Sequence, residues 1–185
     1  MNPDVVATAP AFAPRAAPTR ALSLACVAHR TLASPLGDIL VARTGRGLAG
    51  LWFDGQKDHP GTLNVPVVHD DALLDEVERQ LDAYWAGRLQ VFDLPLDLHG
   101  TPFQLAVWHA LLGVPAGRTR SYRDIAEEVG APSAMRAVGA AVGRNPVSIV
   151  VPCHRIVGSS GGLTGYAGGL DRKVALLKLE GALAI

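Results

Sequence analysis

The chain changes character at His99-Gly100, and this break constrains its fold more than any other feature. Before it, strand-length apolar runs alternate with turn signals and one long amphipathic segment. After it, the sequence reads as mostly helical. Leu22–Thr31, Asp38–Arg43 and Leu48–Phe53 are expected strands, separated by Ser34-Pro35-Leu36-Gly37 and Gly45-Arg46-Gly47. Asp70–Ala86 is an expected helix, because Leu73, Leu74, Val77, Leu81, Tyr84 and Trp85 recur at helical spacing. Asp70 and Asp71 suit the positive end of its dipole, and Gly87 ends it. Val91–Leu98 alternates like an edge strand.

In the second half, Thr101-Pro102 has the chemistry of an N-cap followed by a first-turn proline, opening a helix over Phe103–Leu112. Ser121 is placed to cap a helix from Tyr122 to Val129. Gly130-Ala131-Pro132 turns the chain, and Ser133 is expected to cap a second helix through Val142. Helix, short glycine-containing turn, helix is the helix-turn-helix pattern. The second helix is nearly all Ala, Val and Gly, with Arg136 its only charge. It can approach DNA closely but has few side chains with which to read bases. A last helix spans Asp171–Gly181. The expected class is α+β: a small antiparallel sheet with a covering helix over 21–99, then a mostly helical domain over 100–185. Residues 1–20, rich in Ala and Pro, read as a disordered tail. They lack the basic start and unbroken apolar core of a signal peptide.

With 49% hydrophobic and 18% charged residues, the composition is that of a globular protein, and no apolar run nears the roughly 20 residues of a membrane span. Zero net charge argues against a nucleic-acid partner, but its distribution argues for one. Residues 1–99 carry 8 basic and 12 acidic side chains, whereas 100–185 carry 9 and 5, which makes the second half the expected DNA face. The two cysteines, Cys26 and Cys153, form no CxxC pair, and free thiols in a reducing compartment are expected. The six histidines are scattered, so no metal site is expected. Cys26 lies in an alternating apolar segment and reads as a buried core thiol.

The apolar run Ile149-Val150-Val151 leads into Pro152-Cys153-His154-Arg155 and reads as a short buried strand or turn. A free cysteine has a pKa of about 8.5 and needs activation to act as a nucleophile at neutral pH. A neighbouring histidine can take the proton, and a carboxylate can orient that histidine. Sequence adjacency alone favours a structural pair, since neighbouring side chains in an extended segment point opposite ways. Glu180 is the candidate third member. It stands near a helix C-terminus, where an acid is slightly unfavourable, and a solvated surface charge is the plain alternative. A working relay would bring Cys153 below the free-cysteine value.

Residues 100–181 resemble the O6-alkylguanine-DNA alkyltransferase family, also called methylated-DNA–protein-cysteine methyltransferases. The resemblance runs through Gly100-Thr101-Pro102-Phe103-Gln104, Val107-Trp108, Ser121-Tyr122, Arg136-Ala137-Val138-Gly139, Asn145-Pro146, Val151-Pro152-Cys153-His154-Arg155 and Gly165-Tyr166-Ala167-Gly168-Gly169. The first half is similar to the family's variable N-terminal domain more weakly, through Ser34-Pro35-Leu36-Gly37 and Leu81-Asp82-Ala83-Tyr84-Trp85-Ala86-Gly87.

The resemblance implies single-turnover repair of double-stranded DNA, in which Cys153 accepts the alkyl group of O6-alkylguanine, with O4-alkylthymine as a second candidate substrate. His154 would act as base through a water, Glu180 would orient His154, and Asn145 would brace the turn. Tyr122 would contact the flipped base and its phosphate and help protonate the leaving guanine. Arg136 would fill the gap left by the flipped nucleotide, with Ser121 and Ala134 also facing DNA. Tyr166, Ile156, Ala167, Gly168 and Met135 would shape the base pocket, with the carbonyls of Cys153 and Ile156 accepting from the guanine amine. Relatives often carry Ser where Ala167 stands, so any contact there falls to the backbone. The family implies no cofactor and no metal, a cytoplasmic, nucleoid-associated monomer, and leaves cooperative DNA binding open.

Three other readings remain: a non-catalytic or regulatory binder of alkylated DNA, a helix-turn-helix regulator, and a cysteine hydrolase. The presence of Cys153, the poor base-reading helix and the DNA-binding stretch count against them in turn.

Overall fold

The computed structural model describes Leu22 and residues 25–183; the Met1–Arg20 segment lies outside the described residues. Strands β1 (Ala28–Leu32), β2 (Ile39–Arg43) and β3 (Leu48–Phe53) form an antiparallel sheet in the order β1-β2-β3. The register pairs Ile39 with Phe53 and Val41 with Leu51, so one face presents these four apolar residues. Helix α1 (Ala72–Trp85) covers that face with Leu74, Val77, Leu81 and Tyr84. Asp71 caps it by accepting from the Leu74 N–H at 3.1 Å, and Arg43 ties that same carboxylate back to the sheet. The other face holds Ala42 and Trp52 with Cys26 and Leu63, and the Trp52 ring lies over Gly50, where a Cβ would sit 1.8 Å from it.

Helix α2 (Pro102–Leu112) starts as its sequence dictates. Thr101 caps it, and Gln104 returns the bond to the Thr101 N–H. Strand β4 (Arg120–Ser121) leads into α3 (Tyr122–Glu128), which Ser121 caps reciprocally with Asp124. Residues 129–134 connect to α4 (Met135–Gly143). A single 3₁₀ turn, Cys153–Arg155, runs into β5 (Ile156–Val157), which pairs in parallel with β4. Helix α5 (Leu170–Leu179) closes the described fold. One continuous apolar core joins the sheet, α1 and the helices of the second half, with Trp108 fixing α2 to α4 through its indole N–H and the Ala141 carbonyl at 2.9 Å. Among the described residues no helix is long and apolar enough to cross a membrane.

Three local expectations are corrected. Leu22 and Ala25 are helical rather than extended, and Cys26 donates its N–H to the Leu22 carbonyl, so the strand begins only at Ala28. The Ala and Leu content that alternates there also makes good helix. Val91–Leu98 forms one bridge, Leu96 with Leu48, and no strand. Pro95 has no N–H for a ladder and offers only its carbonyl, to Leu48 at 2.8 Å. Ser133 does not cap α4. A turn closed by Ala134 N–H to the Ala131 carbonyl leaves Ala134 at the N-cap position, with no side-chain bond.

Candidate active site

The site is built on the irregular segment between α4 and β5. Asn145 is buried at its start and staples it shut. Its Oδ1 accepts the Val147 N–H at 3.0 Å, while its Nδ2 donates to the Val151 carbonyl at 2.7 Å and to Cys153 Sγ at 3.0 Å. Between these anchors the buried, β-branched Ile149 holds φ at +70°, a conformation that costs such a residue energy. The free edge of β3 secures the strained loop: Leu51 donates to the Pro146 carbonyl and accepts from Ser148 N–H. The first half of the molecule thereby grips the cysteine-bearing turn directly.

Of the expected Cys153–His154–Glu180 relay, the structure brings His154 and Glu180 together, in a larger hydrogen-bonded cluster, with no direct bond between Cys153 and His154 among the described residues. His154 Nε2 lies 2.8 Å from Glu180 Oε1, which makes this nitrogen the donor when the imidazole is neutral. Its Nδ1 is buried without a partner among the described residues, leaving a lone pair free to accept a proton. Glu180 also receives Arg155, with Nε to Oε2 at 2.9 Å and Nη2 to Oε1 at 2.8 Å, and the Tyr84 hydroxyl to Oε1 at 2.8 Å. Burial alone would raise the Glu180 carboxyl, but the bonds from His154 and Arg155 outweigh it and hold it at about 2. Burial also lowers the pKa of His154, against the pull of Glu180.

The thiol departs from expectation. Burial pushes Cys153 up to about 11, although the Asn145 hydrogen bond and the positive charge of Lys173 favour the thiolate. The resting sulfur therefore keeps its proton, beside a histidine whose Nδ1 has no partner among the described residues.

Cys153 forms part of the wall of a cleft of about 330 Å³, together with Tyr122, Gly139, Ala140, Val142, Gly143, Arg144, Gly165, Tyr166 and Ala167. Lys57 and Asp58 complete it from the first half, where the Lys57 N–H is bonded to the Ala167 carbonyl at 2.9 Å. Tyr122 directs its hydroxyl at the Thr164 and Gly165 carbonyls, 3.3 Å from each. The Tyr166 hydroxyl is buried near Ser148 without a partner of hydrogen-bonding geometry. Gly168 stands behind the wall, where a Cβ would lie 2.6 Å from the Tyr166 ring.

Met135 and Ile156 are not on the wall. Met135 is exposed at the start of α4, beside exposed Arg136 and Ala137. Ile156 is buried, and its carbonyl accepts from Lys173, whose ammonium also binds the Thr164 carbonyl at 3.0 Å. Ser121 and Ala134 hold the N-cap positions of α3 and α4. Among the described residues no group of three His, Cys, Asp or Glu side chains is arranged to hold a metal ion.

Tyr84, Arg155, Lys173, Arg144, Lys57 and Asp58 escaped the sequence reading. Arg155 adjoins the cysteine motif and carried a signal. Lys173 carried only a weak one, as a lysine on the helix face that continues to Leu176 and Leu177.

Residues 102–182 match the family profile described as 6-O-methylguanine DNA methyltransferase, DNA binding domain, and residues 27–98 match that of its ribonuclease-like domain. The chain is 50% identical over 151 residues to the methylated-DNA–protein-cysteine methyltransferase of Mycobacterium leprae, covering 82% of this chain and 90% of the relative. It is 49% identical over 150 residues to that of Methanosarcina barkeri, covering 80% and 92%. Among solved structures, the Mycobacterium tuberculosis OGT in complex with DNA superposes with a TM-score of 0.76 at 49% identity, covering 84% of this chain and 94% of that one. Both profiles, these identities and the shared fold lead to one conclusion: the chain belongs to the 6-O-methylguanine DNA methyltransferase family.

Proposed function

We propose that this protein repairs double-stranded DNA by moving the alkyl group of O6-alkylguanine onto Cys153, with O4-alkylthymine as a second candidate substrate. The observation that carries this reading is Cys153 in the wall of a cleft of about 330 Å³, its Sγ held by Asn145 and followed directly in sequence by the His154–Glu180 pair. In the transfer the carbon–O6 bond breaks and a carbon–sulfur bond forms. The thiol proton passes to His154 Nδ1 through a water, the departing guanine takes its proton from the Tyr122 hydroxyl, and the imidazolium returns the thiol proton to Tyr122 through solvent, so one proton moves from sulfur to guanine in all. The thioether is stable, and the second thiol, Cys26, lies in the separate apolar cluster on the far face of the sheet. Each molecule therefore acts once.

The target atom lies inside a stacked duplex, so the nucleotide must flip out, at a cost of a few kcal/mol that a poorly pairing damaged base reduces. The α3–α4 pair serves as a helix-turn-helix whose small residues enter a groove. Arg136 fills the vacated stack, with Ser121 and Ala134 beside it. Tyr166 and Ala167 line the base pocket, Gly168 and Ile156 back it, Met135 stands outside it on the exposed start of α4, and the Ile156 carbonyl keeps a second lone pair for the guanine amine. The two functional units are 21–99 and 100–185, acting as a monomer on chromosomal DNA in the cytoplasm.

The test is alkylation with O6-benzylguanine and with a duplex carrying O6-methylguanine, read by mass spectrometry. One adduct on the Cys153 peptide, lost in Cys153→Ser and kept in Cys26→Ser, is expected. Label on Cys26, or none on the native protein, would overturn the reading.

A further inference from the structure

Glu180 Oε1 is shared. His154 Nε2, Arg155 Nη2 and the Tyr84 hydroxyl each lie 2.8 Å from that one oxygen, while Oε2 takes Arg155 Nε. Tyr84 alone of the three donors comes from the first half of the chain, on α1, 96 residues away in sequence. It is 2% exposed, and its ring is wedged by Trp85 and Phe92 at 5.1 and 5.4 Å between centroids. A phenol in such surroundings has no water to turn to, and the hydroxyl stays committed to the carboxylate.

We infer that Tyr84 is a positioning residue of the transfer: its hydroxyl, bonded to the oxygen that His154 uses, sets how strongly Glu180 polarises the imidazole. This rests on the proposed alkyl transfer and extends it to a residue of the other half. The physical reason is competition for charge. A donor on Oε1 draws electron density that would otherwise stabilise the imidazolium, so it lowers the basicity of His154 and keeps the ring neutral at lower pH. The other ionisable groups facing this cluster are Arg155 on the 3₁₀ turn, Lys173 on α5, Cys153, and Tyr166, whose ring meets the His154 ring edge-on at 6.4 Å. All of them stay in place when only the Tyr84 hydroxyl is changed.

The experiment is the pH profile of Cys153 alkylation by O6-benzylguanine, a free base that needs no flipping. Tyr84→Phe keeps the ring and removes the donor. The acid limb is expected to move up by about half a pH unit, which is roughly threefold in rate on that limb. Replacing Tyr84 with 3,5-difluorotyrosine makes the phenol a stronger donor and is expected to move the limb down. These opposite displacements cannot come from a general loosening of the fold. In a Glu180→Gln background the Tyr84→Phe change is expected to add nothing further, because its route is gone.

A wild-type protein that is not alkylated at Cys153 would overturn the repair reading itself. Normal alkylation with one unmoved acid limb in all Tyr84 variants, or a Tyr84→Phe shift that persists in full with Glu180→Gln, would overturn the role of Tyr84 alone.

Discussion

Burial holds the Cys153 proton in place up to about pH 11, so at neutral pH the sulfur is a thiol. A protein that can react only once gains from this, since a standing thiolate would be spent on any passing electrophile. Iodoacetamide at pH 7.5 is expected to modify native Cys153 far more slowly than free cysteine, and to modify Cys153 and Cys26 rapidly after unfolding. Native labelling as fast as free cysteine would count against a protonated, buried sulfur. Glu180 gives a pH test of the opposite sign. Its folded-state value of about 2 lies below the ordinary 4.5, so its contribution to stability is complete above 4.5 and fades as pH falls from there toward 2. Glu180→Gln removes the negative charge and one of the two acceptor oxygens that Arg155 and His154 use, and is expected to cost about 3–5 kcal/mol at pH 7. Denaturant melts should show the gap between variant and wild type closing across that acid window. The cysteine, its histidine and Glu180 were legible in sequence because the first two adjoin and the third sits where an acid is out of place. Tyr84 was not, because a core tyrosine on an amphipathic helix looks the same whether or not its hydroxyl meets a carboxylate.

Helix α4 presents Met135, Arg136, Ala137 and Ala140 outward, and buries Val138, Ala141 and Val142. Small side chains let a backbone come close to a groove, and the one exposed arginine among them is the finger proposed to fill the vacated stack. Arg136→Ala is expected to slow repair of duplex DNA at least tenfold while leaving the reaction with O6-benzylguanine near normal, because only the duplex requires flipping. An equal drop with both substrates would assign Arg136 to the fold instead. Ala137→Leu is a steric counterpart: the residue is exposed, so the fold tolerates the change, but duplex affinity in a filter or anisotropy assay is expected to fall by tenfold or more. Helix starts at Thr101 and Ser121 were readable because a cap is a local bond between residues three apart. The start of α4 and the Val91–Leu98 segment were not. A turn at Ala131–Ala134 and the missing N–H of Pro95 decide them, against patterns that would otherwise serve.

At the scale of the molecule, the sheet half is more than a neighbour of the chemistry. It supplies the β3 edge that clamps residues 146–148, Lys57 and Asp58 at the cleft, and Tyr84 behind the relay. The apolar core is continuous across both halves, so the chain is expected to unfold in one step. Far-UV circular dichroism and tryptophan fluorescence should give coincident denaturant transitions. Two separated transitions would mean that the halves stand independently. The division at His99-Gly100 was visible from sequence, whereas its bridging was not, since contacts between distant segments leave no local period. The bond from the Trp108 indole to the Ala141 carbonyl has an optical consequence. Indole emission responds to the field along its N–H, and this N–H terminates on α4, the helix proposed above to enter DNA. Trp52 is packed in the separate cluster beyond the sheet and Trp85 stands on α1, whereas Trp108 bonds directly to α4. The protein thus carries a built-in fluorophore whose colour reports the strain placed on α4, with no dye and no added label.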